Sequence, residues 1–145
     1  MYADVMSTTT RSLRIPTDLD KEVTAAAEAD GLTFTEYVTF ALRRHLGWDD
    51  PAYPDLARAV RDRLDELAAD GFDIDITRTV FLSIRDTPTL RRLYAAAVAQ
   101  NTDKFVNQRI GRLVKTHLGA EVIGTSKPLP EDELIVTHSL LVPAG

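Results

Sequence analysis

A chain of 145 residues, 44% of them apolar and 27% charged, has the balance of an ordinary globular protein with room for one or two small domains. No apolar run approaches a membrane span, and the lack of cysteine excludes disulfides and thiolate metal sites; no membrane partner and a cytoplasmic location are expected. The net charge of -5 argues mildly against nucleic acid, although the local placement of charge decides the field a partner meets.

Met1 to Thr9 lacks a basic start followed by an apolar run, so residues 1–9 are expected to be a flexible lead-in and neither a signal nor a transit peptide. In Thr10-Arg11-Ser12-Leu13-Arg14-Ile15, Leu13 and Ile15 alternate with Thr10, Ser12 and Arg14, the pattern of a short strand with one apolar face. Pro16 cannot donate to a ladder and should end it.

Thr17 is placed to cap a helix whose stripe is Leu19, Val23, Ala26 and Ala27. Asp18, Asp20 and Glu22 complement its N-terminal dipole, and Gly31 offers a left-handed stop. Thr33-Phe34-Thr35-Glu36 has the form of a capping box opening a second helix, with Phe34, Val38, Ala41, Leu42 and His45 or Leu46 along its stripe. Arg43 and Arg44 fall in its last turn, where cations suit the dipole.

A strand and two helices of this length bury too little apolar surface alone, and with no cysteine for a staple the missing surface must come from a second copy. Antiparallel pairing of two such strands would turn Leu13 and Ile15 onto a shared helical core and present Thr10, Ser12 and Arg14 outward in duplicate. A two-stranded ribbon of that kind fits the DNA major groove.

The spacing of Arg14-Ile15-Pro16-x-x-Leu19, Gly31 between the helices, the Thr33 cap and the closing Ala41-Leu42 resembles the ribbon-helix-helix family, which includes the Arc and MetJ repressors and many plasmid and antitoxin regulators. The resemblance covers about the first third of the chain. It implies an obligate dimer through residues 10–46, with Thr10, Ser12 and Arg14 as base-reading positions and Thr33, Phe34 and Thr35 as the turn that clamps phosphate. Arg14 is the expected principal reader, since a guanidinium can bond guanine O6 and N7 together. Arg11 departs from the pattern, occupying a position where an apolar ribbon residue is common, and is expected to reach phosphate.

Gly47 to Pro54 is a turn-rich junction, Gly-Trp-Asp-Asp-Pro-Ala-Tyr-Pro, and residues 48–54 are read as a boundary between a domain at 10–47 and another at 55–145. Trp48 and Tyr53 are expected to staple the two regions together. In the second region a helix is expected over Asp55–Asp70, an extended segment over Phe72–Ile84, and helices over Thr89–Gln100 and Asp103–Leu118. Strands are expected over Ala120–Thr125 and Glu133–Val142. This element order resembles a winged-helix domain, carried by the order and by one basic helix face without a residue-level motif.

Charge is uneven along the chain. Residues 1–50 hold five Lys or Arg against nine Asp or Glu, so ribbon binding would rest on a narrow basic strip. Residues 85–115 hold seven Lys or Arg against two Asp. On the helix beginning at Asp103, Lys104, Gln108, Arg112 and Lys115 fall within about 80° of one another, opposite an apolar stripe of Val106, Ile110, Leu113, Val114 and His117. With Arg109, and Lys127 at the wing tip, they form a second candidate DNA-binding surface; a solvated face on a dimerisation or effector domain is the alternative reading.

Other chemistry finds little support. His45, His117 and His138 are far apart in sequence, so no metal site is expected. Asp73 and Asp75 read as the wet face of a strand, Ser139 beside His138 makes no catalytic pair, and Gly111 and Gly124 belong to no phosphate-cradling loop. The expected molecule is therefore α+β and mostly helical: a ribbon-helix-helix dimerisation unit followed by a small α/β domain. It carries no cofactor and no enzymatic activity, and it binds double-stranded DNA as a sequence-specific regulator, most simply a repressor, with association of dimers on DNA left open. The alternative is an antitoxin or a plasmid or phage maintenance factor whose C-terminal domain binds a protein partner instead of DNA.

Overall fold

The computed structural model describes residues 7–127 and 134–144. Residues 7–16 carry no regular secondary structure, so the strand expected over Thr10–Ile15 is not present in the single chain. Helix α1 spans Thr17–Ala29 with Pro16 at its cap position and no side-chain cap, so Thr17 enters the first turn and does not cap it. Pro at this place costs nothing, because its missing N–H would be an orphan of the helix end.

Gly31, at φ 73°, turns the chain into α2, Phe34–His45. The capping box forms as expected. The Glu36 amide donates to Thr33 Oγ1 at 3.2 Å and the Thr33 amide to Glu36 Oε1 at 3.0 Å.

Helix α3 spans Tyr53–Leu67 and buries Tyr53, Leu56, Ala57, Val60 and Leu64. Helix α4, Ile76–Asp86, replaces much of the expected extended segment. The alternation of Val80, Leu82 and Ile84 is real, but Ile76, Val80, Phe81 and Ile84 also lie on one helical stripe, and those four are its buried apolar residues. Burial of that stripe overrides the β preference of its Ile, Thr and Val residues. What survives of the strand is one ladder bond, from the Leu141 amide to the Ile74 carbonyl at 3.1 Å.

Helix α5, Pro88–Gln100, and helix α6, Asp103–Leu118, are joined by Asn101 and Thr102. Thr102 Oγ1 accepts from the Phe105 amide, and Gly119 closes α6 in the left-handed conformation. The antiparallel strands β1, Ala120–Ser126, and β2, His138–Pro143, follow, with an irregularity in register between Val122 and Gly124. The second strand starts at His138 and not in the stretch beginning at Glu133; Glu133 itself lies outside the described residues, and Leu134–Thr137 is not strand.

One apolar core runs through the described residues. Ala27 and Leu32 from the N-terminal helices join Tyr53, Leu56, Val60 and Leu64 of α3, Val80 and Ile84 of α4, and Val106, Ile110, Leu113 and Val114 of α6. The join is specific. Tyr53 donates its hydroxyl to the Asp30 carbonyl at 2.6 Å, Arg61 pairs with Asp30, and Phe40, Tyr53 and Phe105 form an aromatic cluster with centroids 6.2 to 6.5 Å apart. Tyr53 thus does the stapling expected of it, whereas Trp48 is 78% exposed and staples nothing.

Candidate nucleic-acid interface

Thr10, Arg11, Ser12 and Arg14 are all exposed on the segment leading into α1. Among the described residues no neighbouring strand fixes their side chains. Apolar side chains of the same unit are equally unpartnered: Leu13 is 76% exposed, and Leu19, Leu42 and Leu46 are each at least half exposed.

At the start of α2, Thr33 and Thr35 are exposed and Phe34 is half-buried. The capping box consumes the amides of Thr33 and Glu36, leaving those of Phe34 and Thr35 uncapped at the positive end of the helix. Glu36 is itself held by Arg109 of α6, whose Nε lies 3.2 Å from Glu36 Oε1. Partial burial raises the Glu36 pKa, but the hydrogen bonds from Arg109 and Thr33 and the charge of Arg109 outweigh it, so the carboxyl sits below its ordinary range.

Arg109 therefore does not join the second surface. Its guanidinium stacks over the Phe105 ring at 4.2 Å and its side chain is only 13% exposed. The other α6 residues come together as expected: Lys104, Gln108, Arg112 and Lys115 are exposed and line one side of a groove whose other side is built by β1, β2 and the residues just before β2. Lys127 is exposed immediately after β1.

Two residues of this groove had no signal in the sequence. Thr77 was placed in a strand instead of the first turn of α4, and His138 gave no hint of burial. Both are buried in the groove wall, and His138 Nε2 lies 3.1 Å from the carboxylate of Asp75, so Asp75 is a partner to histidine as well as a wet residue. His117 likewise meets an acid, Asp65 Oδ1, at 2.7 Å. Among the described residues there is no group of three or more His, Asp or Glu able to hold a metal ion, and no helix is long and apolar enough to cross a membrane.

No protein-family model, curated protein or solved structure matches this chain.

Proposed function

We propose that the chain is a sequence-specific DNA-binding regulator, most simply a repressor, that acts as a dimer through residues 10–46 and reads bases from a two-stranded ribbon. The observation that carries the reading is the unfinished surface of the N-terminal unit: Leu13, Leu19, Leu42, Leu46 and Trp48 stand exposed, while Ala27 and Leu32 are buried in the core and Tyr37 and Phe40 pack against it. Burying a side chain of this size is worth about 1.5–3 kcal/mol. Ten of them, five from each copy, are enough to offset an association cost of about 4–15 kcal/mol. A second copy that covers them by strand pairing brings Thr10, Ser12 and Arg14 to the outside twice over, beside the uncapped amides of Phe34 and Thr35.

The test is selection of bound sequences from random duplex DNA by the full chain and by Arg14→Ala, with affinity followed against salt. Loss of one base-reading arginine per subunit costs about 1–3 kcal/mol and relaxes the selected motif at defined positions. A phosphate contact would instead weaken all sequences alike and flatten the salt slope. No enriched motif, or a motif indifferent to Arg14, would overturn the ribbon reading.

A second reading concerns α6. Three cations without an ion pair among the described residues, together with Gln108 on the same face, favour a further contact with DNA phosphate. Replacing Arg112 and Lys115 with alanine shortens the footprint if that contact exists, and leaves it unchanged if the C-terminal region serves protein interaction, as in an antitoxin or a plasmid or phage maintenance factor.

A further inference from the structure

Helix α2 has two apolar faces. Tyr37 and Phe40 pack inward against the core, and Glu36 pairs with Arg109 of α6 on that side. At about 100° per residue, Ala41, Phe34, His45, Val38, Leu42 and Leu46 follow one another around the outward side within an arc of about 140°. Ala41, Leu42, His45 and Leu46 are exposed there, and Phe34 and Val38 are half-buried. His45 is the one ionisable side chain in that arc, and Thr35 the one other polar residue. It is not at the margin: Phe34 and Ala41 lie to one side of it, Val38, Leu42 and Leu46 to the other, and Trp48 follows further along the chain. A second copy that covers these apolar side chains covers the imidazole with them.

The charges around α2 are already matched. Arg43 and Arg44 of its last turn pair with Asp49 and Asp50, so the two carboxylates that follow the helix are committed. The carbonyls of Leu42, Arg43 and Arg44 accept from the amides of Leu46, Trp48 and Gly47, which blunts the negative helix end that would otherwise favour an imidazolium. Glu36 and Arg109 answer each other about half a turn away from His45. From α1, Asp18, Asp20, Lys21 and Glu22 are exposed, and among the described residues no acid pairs with the His45 ring.

We infer that His45 makes the dimer pH-dependent: two copies associate while the ring is neutral and separate as it takes up a proton. The inference rests on the proposed dimer through residues 10–46. An imidazole changes charge between about pH 8 and pH 5, and an apolar contact disfavours the charged form. The associated state therefore holds fewer protons than the separate chains. Association is complete on the alkaline side and weakens as pH falls. Each ring that must shed a proton weakens the dimer by up to about tenfold per pH unit, and a two-fold dimer has two such rings.

Sedimentation equilibrium of the full chain tests this from about pH 8 to about pH 5.5, a range in which ordinary carboxylates stay ionised. Circular dichroism at each pH verifies that the helices persist. The dimer Kd is expected to rise about a hundredfold across the range. His45→Leu should give a dimer at least as tight as the wild type at the alkaline end and indifferent to pH. His45→Gln, which keeps a polar side chain without the charge, should be equally flat. A wild-type Kd that does not change with pH overturns the inference. So does one that tightens in acid, since a carboxylate of the second copy would then be meeting the ring, or a fall that both variants retain, which would assign the titration to other groups. A wild-type chain that is monomeric even at the alkaline end refutes the dimer itself, and that outcome is distinct from a dimer without pH dependence.

Discussion

Gly31 joins two requirements that no other residue meets at once. Its φ of 73° is a left-handed conformation, and a Cβ there would stand 2.1 Å from the Arg109 carbonyl oxygen and 2.9 Å from the Leu113 amide, both backbone atoms that cannot swing aside. Gly31→Ala is expected to destabilise the protein by about 2–5 kcal/mol in urea unfolding, combining backbone strain with overpacking. Thr77→Val should act in the opposite direction, raising stability by about 1 kcal/mol by removing a buried hydroxyl that no group among the described residues satisfies. Glu36 gives a pH signature. Its folded pKa lies below the ordinary value, so its contribution is complete at neutral pH and is lost as pH falls through the ordinary carboxylate range and then through the lowered value. Glu36→Gln should flatten the acid limb of a stability profile and leave the alkaline limb unchanged. Of these residues, Gly31 was legible as a helix stop because a turn announces itself locally. Its contact with Arg109, and the Glu36–Arg109 pair, join positions seventy-three or more apart and leave no local trace.

At the level of elements, helices with firm local signals were legible: α2 from its capping box and α6 from its amphipathic stripe. Helix α4 was not, because its N-cap Asp75 makes no side-chain capping bond and its residues satisfy a period of two over a short span as well as the helical period. That misreading hid Thr77, one of the two buried polar residues of the groove wall. The grouping of Lys104, Gln108, Arg112 and Lys115 was legible from helical angle alone, whereas Arg109, one residue past Gln108, turns toward α2 instead. Helix α2 also carries the test of association. Leu42, on its exposed side, changed to glutamate should convert the proposed dimer into a monomer in sedimentation velocity at micromolar concentration and abolish the proposed operator binding, with helical content in circular dichroism retained. A Leu42→Glu protein that sediments as the wild type does would remove α2 from the dimer interface.

Across the whole molecule, the turn-rich composition of residues 48–54 marks a change of direction, and its rigidity was not legible. Pro51 is buried, Gln100 receives the Ala52 amide at 2.8 Å and donates to the Asp50 carbonyl at 3.1 Å, and Arg43 pairs with Asp49. With Gly31 seated against the backbone of α6 and Tyr53 bonded to Asp30, the N-terminal helices and the C-terminal region share one core and have no free tether between them. Such a body measures length. In a dimer built on the proposed ribbon, the two α6 faces would be carried at a set separation and a set angle about the double helix. Any operator contact they make would then follow the phase of the duplex: inserting about five base pairs, half a turn, between the ribbon site and its flanks should erase the outer footprint, and about ten should not restore it, because the frame has no slack to reach a further turn.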